Sequence, residues 1–372
     1  MRNHKELLIA TRPFAKEDIS RSWQLLAVAL TLMLLAWAVA WSPSPLWLRV
    51  PASLLTGLLI VRVFIIYHDQ QHGAIFKRSK WANAILNLFG WVVLSPSSVW
   101  ADSHNTHHKT NCKDFGEHPG SFPVYTCQQY HDAGWRERLM YRVSRNPLII
   151  AGGYISIFLI NMTLIPFLLR PRQHWDAGAA LLLHGLLIGA AISMGWPTLL
   201  LGLLVPLTIA CGLGSYLFYA QHNFPGCKLR EADNWDYVDA ALQSSSFFRM
   251  SSWMHWFTGN IGYHHVHHLN SKIPFYRLPE AMGSIAELQR PLETSFSMRD
   301  VWACFQMNLW DEREDRFVTY REGAARIAAP GAFFTRVSEG SLRGTPAAPG
   351  VVIDRSCCAV ESNNSEQAVV PS

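Results

Sequence analysis

Apolar positions in this 372-residue chain gather into long unbroken runs separated by basic, polar stretches. Residues 1–22 are polar and carry Arg2, Lys5, Arg12, Lys16 and Arg21. Trp23–Trp41 is then almost wholly apolar, Ser42–Pro45 interrupts it, and Leu46–Tyr67 is apolar again. About twenty such residues cross a bilayer as helix, so the two runs predict a transmembrane hairpin. The basic leader puts the N-terminus in the cytosol, with Trp37, Trp41 and Trp47 at the outer interface. Ala38-Val39-Ala40 has the small-residue form of a signal-peptidase site, but the charged leader and long apolar core fit an uncleaved helix.

Ala84–Trp100 is apolar but short, and is expected to be interfacial or re-entrant. Three more runs follow: Pro147–Leu169, Ala177–Gly195 and Pro197–Tyr219. Arg142 and Arg145 precede the first of these and Arg170 and Arg172 follow it, so both flanks read as cytosolic. That run is expected to dip in and return, leaving the other two as a second hairpin turning at Trp196-Pro197. The expected fold is an all-α membrane protein. Four transmembrane helices in two hairpins are joined by interfacial or re-entrant helices and topped by a cytosolic helical cap. Its segments are a cytosolic leader (1–22), a membrane domain (23–290), the cap (291–323) and an Ala-, Gly-, Pro- and Ser-rich tail (324–372) expected to be disordered.

Composition agrees. The chain is 49% hydrophobic and only 16% charged, where soluble proteins average about 25%. The net charge of +5 is modest. Basic residues sit beside the apolar runs, which suits anionic lipid headgroups and not nucleic acid. Seven cysteines show no C-x-x-C spacing, so they read as reduced thiols on a cytosolic face; lipidation of Cys357–Cys358 is the less favoured reading of that pair. Arg62, just inside the end of the second run, reads as snorkelling or as touching a headgroup.

The chemistry lies in the histidines. His264, His265, His267 and His268 fall within five residues, His68 and His72 form H-x-x-x-H, and His104, His107 and His108 form H-x-x-H-H. These hold nine of the sixteen histidines. Residues three and four apart share a helical face, which lets imidazoles of one helix reach one metal. His222 closes the last apolar run at the depth where the clusters should lie. His184, alone in mid-membrane, reads as a packing or helix–helix hydrogen-bonding residue. Glu117-His118-Pro119-Gly120 matches part of a cytochrome b5 haem motif, but such a domain needs roughly eighty residues and a second axial His. A single Zn²⁺ would leave half of these imidazoles idle. About nine neutral nitrogens suit two octahedral-leaning transition metals, and iron is the one that activates O₂. A metal transporter with cytosolic His loops would place ionisable groups near the midplane, where only His184 stands.

At these residues the chain resembles the membrane fatty acid desaturases, whose signature is three histidine boxes at cytosolic helix ends. HDQQH at 68–72, HNTHH at 104–108 and HHVHH at 264–268 look like the boxes in order. YAQHNFPG at 219–226 and GNIGYHHVHHLNSKIPFYRLPEA at 259–281 are similar to the bacterial acyl-lipid, omega-6-like branch. Gln70-Gln71 stands where plant-type members often carry Cys-Gly. The resemblance implies two iron ions (Fe²⁺) held by His68, His72, His104, His107, His108, His264, His267 and His268, with His222 as ninth ligand and His265 turned away. Asp69, Asp102, Asp236 and Asp239 are candidates to orient those imidazoles. It further implies a cis double bond placed in a membrane-lipid acyl chain using O₂ and electrons from a separate ferredoxin or cytochrome b5-like donor. The location implied is a bacterial inner membrane with the site facing the cytosol. Related di-iron hydroxylases and ketolases, acting on an alkyl or carotenoid lipid, are the alternative.

Overall fold

The computed structural model describes residues 2–116 and 121–328. The Glu117–Gly120 motif, the Cys357–Cys358 pair and most of the expected tail lie outside the described residues.

Two helices, α1 (Ile19–Trp41) and α2 (Leu46–Gln71), pack along each other as the first hairpin. Next comes a bent pair, α3 (Lys80–Val92) and α4 (Ser97–Lys109), whose axes meet at 91°. The second hairpin is α5 (Trp175–Ser193) and α6 (Trp196–Ala220). By length and apolar character α1, α2, α5 and α6 can each cross a membrane, which matches the four helices expected. The hairpins meet where α2 packs on α6. Gly57 permits this, since a Cβ there would stand 2.8 Å from Ile209 Cβ and 3.1 Å from the Pro206 carbonyl oxygen. At the far end from the histidines, Arg49 donates to the Ala40 carbonyl (3.0 Å) and to Thr198 Oγ1 (2.9 Å), tying the two hairpin turns together. Trp41 turns inward to the Gly202 carbonyl (2.8 Å), and Trp37 reaches the same oxygen, while Trp47 is exposed.

The bend between α3 and α4 is made by Leu94 in the left-handed region (φ 56°), by Ser95 N–H donating to the Gly90 carbonyl (2.8 Å), and by Pro96. Asp176 of α5 then caps α4, accepting from Ser98 N–H (2.9 Å) and from the Ser98 hydroxyl (2.5 Å). A carboxylate at a helix N-terminus satisfies orphan donors and complements the helix dipole. The bend brings the end of α4 beside the end of α2, where His104 Nε2 lies 2.9 Å from His68 Nε2.

The run Pro147–Leu169 departs from expectation. Its segments Pro147–Ala151, Tyr154–Leu164 and Ile165–Leu169 follow one another without doubling back. Together they lie across α6 and α5. Both flanks nevertheless stay at the histidine end. Arg145 donates to Asn223 Oδ1 (2.6 Å) just past α6, and Gln173 donates to Asp102 (3.0 Å) on α4. The crossing is close because of Gly212, where a Cβ would meet the Ala151 carbonyl oxygen at 2.6 Å. Tyr154 of this run bonds His184 Nε2 at 2.6 Å, the helix–helix contact expected of that histidine.

The expected cap of helices and loops also contains strands. β1 (Phe247–Arg249) pairs in parallel with β2 (Glu293–Ser295), and β3 (Leu309–Asp311) pairs antiparallel with β4 (Arg316–Val318). Three-residue strands are too short for alternation to show in sequence. The helix Tyr320–Ala328 carries regular structure past residue 324, with Gly323 seated against Leu309 and Cys127. Gly212→Val should force the tilted run off α6. Overpacking of this kind costs about 1–3 kcal/mol, so the purified variant should unfold at lower temperature in detergent; an unchanged Tm would show that the crossing tolerates bulk.

Candidate metal centre

Each histidine cluster sits where a helix ends or is nearly complete. α2 stops after His68 and His72 because Gly73 takes φ 65°, with Gly73 N–H on the Gln70 carbonyl and Ala74 N–H on the Asp69 carbonyl, both at 2.9 Å. This is a glycine-terminated helix end in which the reversed bonds satisfy the last carbonyls. α4 projects His104, His107 and His108 from one face. α7 (His264–Leu269) does the same with His264, His267 and His268. It follows a turn at Gly259 (φ 53°), where a Cβ would stand 2.6 Å from Ile65 Cγ2 of α2. His222 comes in from the end of α6.

These side chains form two groups. His68, His72, His104, His108 and His267 offer ligand nitrogens within 4.8 Å of one another, and so do His107, His222, His264 and His268. In the first, Nε2 atoms of His68 and His104 are 2.9 Å apart, those of His104 and His108 3.1 Å, and those of His108 and His267 3.1 Å. In the second, His107–His222, His222–His264 and His264–His268 are 3.1, 2.9 and 3.1 Å apart. Neighbouring ligands on an octahedral ion with bonds of about 2.1 Å stand about 3.0 Å apart. The donor spacing therefore fits two metal ions. The groups abut, since the His108 and His268 rings stack with centroids 4.3 Å apart.

The outward ring nitrogens fix which way the lone pairs point. His222 Nδ1 lies 2.8 Å from the Ser244 carbonyl, which can only accept, so that nitrogen carries the proton and Nε2 faces the group. His68 Nδ1 meets Asp69 at 3.1 Å, and His107 Nδ1 meets Ser121 Oγ at 2.9 Å. All nine side chains are buried. Burial and the neighbouring rings hold His264, His267 and His268 well below the ordinary imidazole range, so they are neutral at pH 7. His265 turns away, donating from Nε2 to the Leu288 carbonyl (3.1 Å), and burial lowers it to about 4.

Of the four carboxylates expected behind the ligands, only Asp69 is there. Its second oxygen accepts from Phe275 N–H (2.6 Å), clamping the first cluster to the segment after the third. Asp102 pairs with Gln173 instead. Asp236 caps its own helix at Val238 and Asp239 N–H, and Asp239 contacts Gln243. Spacing alone could not separate these uses. Ser121 and the Ser244 carbonyl were not foreseen, and a main-chain carbonyl leaves no mark on residue type. Arg62 reaches no headgroup. It donates to the Trp256 carbonyl (2.7 Å) between the Trp256 and Phe275 rings. On the side of the spanning helices the site is walled by aromatics: Trp100 stacks on His104 (4.5 Å), Phe218 lies 4.8 Å from His107, and Phe64 packs on Trp100 (5.1 Å).

Two adjacent nitrogen-only cages that could hold metal ions stand at the end of a bundle of helices long and apolar enough to cross a membrane, and comparison with known proteins gives the family. The family model for fatty acid desaturases matches residues 44–299. A fatty acid desaturase of Bacillus subtilis (strain 168) is 32% identical over 278 residues, covering 74% of this chain and 78% of that protein. An sn-1 oleoyl-lipid 12-desaturase of Picosynechococcus is 24% identical over 295 residues, covering 76% and 82%. An sn-1 acyl-lipid omega-3 desaturase (ferredoxin) of Nostoc is 27% identical over 256 residues, covering 64% and 68%. The chain belongs to the fatty acid desaturase family, and with it to the oxidoreductases.

Asp69→Asn should leave the fold intact but weaken the hold on His68. Loss of such a partner typically costs 10–100-fold in metal affinity. Titration with Co²⁺ against a chelator would read that drop, and an unchanged affinity would assign Asp69 to the Phe275 clamp alone.

Proposed function

We propose that the protein is an O₂-dependent acyl-lipid desaturase that places a cis double bond in a membrane-lipid acyl chain. Two Fe²⁺ ions would be held, one by His68, His72, His104, His108 and His267, the other by His107, His222, His264 and His268. The observation that carries this reading is the pair of abutting, nitrogen-only cages with octahedral donor spacing. Iron so ligated supplies O₂ activation and an oxidant able to take hydrogen from an unactivated C–H bond. The acyl chain loses two hydrogens, and O₂ with two electrons and two protons leaves as two waters.

The protein's own groups prepare this chemistry. Burial keeps the imidazoles neutral and excludes bulk water. Trp100, Phe64 and Phe218 offer an apolar wall along which a hydrocarbon chain can lie next to the cages. Asp69, Ser121 and the Ser244 carbonyl hold three imidazoles with Nε2 inward. Desaturation is favoured over hydroxylation or ketolation by the names of the relatives. A Δ12, omega-6 outcome is favoured by the oleoyl-lipid 12-desaturases and a chloroplastic omega-6 desaturase among them, as analogy.

The electron donor is read as a ferredoxin, from the relatives so named. Lys77 and Lys272 are exposed beside Gly73, next to His72, and Lys272 donates to the His72 carbonyl. Neither lysine meets a carboxylate among the described residues, so together they present positive charge to an acidic carrier. The basic leader and the arginine flanks support a histidine end on the cytosolic face of a bacterial inner membrane.

Purified without chelators, the protein should carry two irons per chain. His264→Ala should lose iron and activity, whereas His265→Ala should keep its iron. Expressed aerobically with a ferredoxin, it should add a new cis-unsaturated acyl chain to total lipids, read by gas chromatography with mass spectrometry. A hydroxylated or ketonised product, or full activity with zinc and no iron, would overturn the assignment. Lys77→Glu should raise the KM for ferredoxin several-fold and flatten its salt dependence. Single turnover driven by a small chemical reductant should be unaffected; equal losses in both assays would remove Lys77 from carrier docking.

A further inference from the structure

The Ser244 carbonyl that orients His222 has two other neighbours. Cys112 Sγ and Cys227 Sγ each lie 3.8 Å from that same oxygen. Cys227 also donates to the His222 carbonyl at 3.2 Å. His222 Nδ1 donates to that oxygen at 2.8 Å, and Cys112 lines one cavity with His222. The two sulfurs thus meet beside one imidazole of the four-histidine cage. They arrive from separate elements, Cys112 just after α4 and Cys227 in the turn after α6.

Their access differs. Cys227 is buried at 1% exposure, whereas Cys112 is half-buried and lines a cavity of about 40 Å³ together with His107, His222, Ser121 and Phe218. That volume holds a molecule the size of water or hydrogen peroxide. One thiol is therefore reachable from the cavity and the other waits behind it, the arrangement of an attacking and a resolving cysteine. Cys211 and Cys304 are buried away from this cavity, and Cys127 packs under Gly323.

We infer that Cys112 and Cys227 form a peroxide-responsive dithiol that reports on, and reversibly restrains, the cage at His222. Cys112 sulfur attacks an oxygen of hydrogen peroxide, the O–O bond breaks, and Cys112 sulfenic acid and one water result. Cys227 sulfur then attacks the Cys112 sulfur, the S–O bond breaks, and a disulfide and a second water form. Peroxide is the oxidant and both thiols are oxidised, one electron each, with their protons leaving in the water. Closing the pair to a bond of about 2.05 Å draws the segment after α4 towards the turn after His222 and shifts both sulfurs against the Ser244 carbonyl that supports that imidazole. This inference depends on the sulfur geometry and not on which lipid is the substrate.

The test uses the iron-loaded full chain in detergent, with graded hydrogen peroxide, rapid alkylation and peptide mapping without reductant. A Cys112–Cys227 linked peptide should form before Cys127, Cys211 or Cys304 is modified, with Cys357 and Cys358 scored separately, and dithiothreitol should remove it. Cys227→Ser should stop at a dimedone-trapped sulfenic acid on Cys112. Turnover should fall in step with the linked fraction and return on reduction. A native protein in which Cys112 overoxidises while Cys227 stays free, or in which Cys127 reacts first, would overturn the inference. Because the wild-type map decides it, poor folding of a variant would not.

Discussion

Nine buried imidazoles with ring nitrogens crowded into two abutting groups are the constraint on which this structure turns. Nε2 atoms about 3 Å apart can share at most one proton per contact, and burial disfavours adding protons. Without a cation such an arrangement is unfavourable, because a buried polar atom without a partner costs about 1–3 kcal/mol against a total stability of about 5–15 kcal/mol. Metal binding removes that cost for the inward nitrogens, so holding the metals and holding the fold are coupled.

The surrounding architecture brings four chain segments to one level and keeps them there. Glycines at 57 and 212 let helices approach closely enough to set that level. Asp176 fixes the start of α4, Gly73 ends α2, and Arg49 ties the hairpins at the opposite end. Two buried polar side chains of the spanning helices are paired across elements, Arg62 with the Trp256 carbonyl and His184 with Tyr154. In a bilayer such pairing is the alternative to an unsatisfied group in hydrocarbon.

The two sides of the metal centre differ in kind. Aromatic rings face the spanning helices, where a lipid chain would lie. Lys77 and Lys272, which meet no carboxylate among the described residues, lie beside His72, and a small cavity and two thiols lie beside His107 and His222.

Sequence alone marked the class of fold and the histidine clusters, because both rest on periodicity. Runs of about twenty apolar residues make spans, and imidazoles at i, i+3 and i+4 share a face regardless of tertiary context. It also marked His222, through its place at a helix end, and separated His265 from its neighbours. Only tertiary structure decided how nine ligands divide into five and four, since that depends on where α4 and α7 meet α2 and α6. It selected Asp69 from four equivalent-looking carboxylates and gave Asp102, Asp236 and Asp239 to caps and surface contacts. It packed the helical segments of Pro147–Leu169 against α5 and α6, because the arginine flanks bear only on the side on which each end lies and not on the path between them. It also brought Cys112 and Cys227 to a single carbonyl from opposite ends of a 115-residue separation, which no local pattern records.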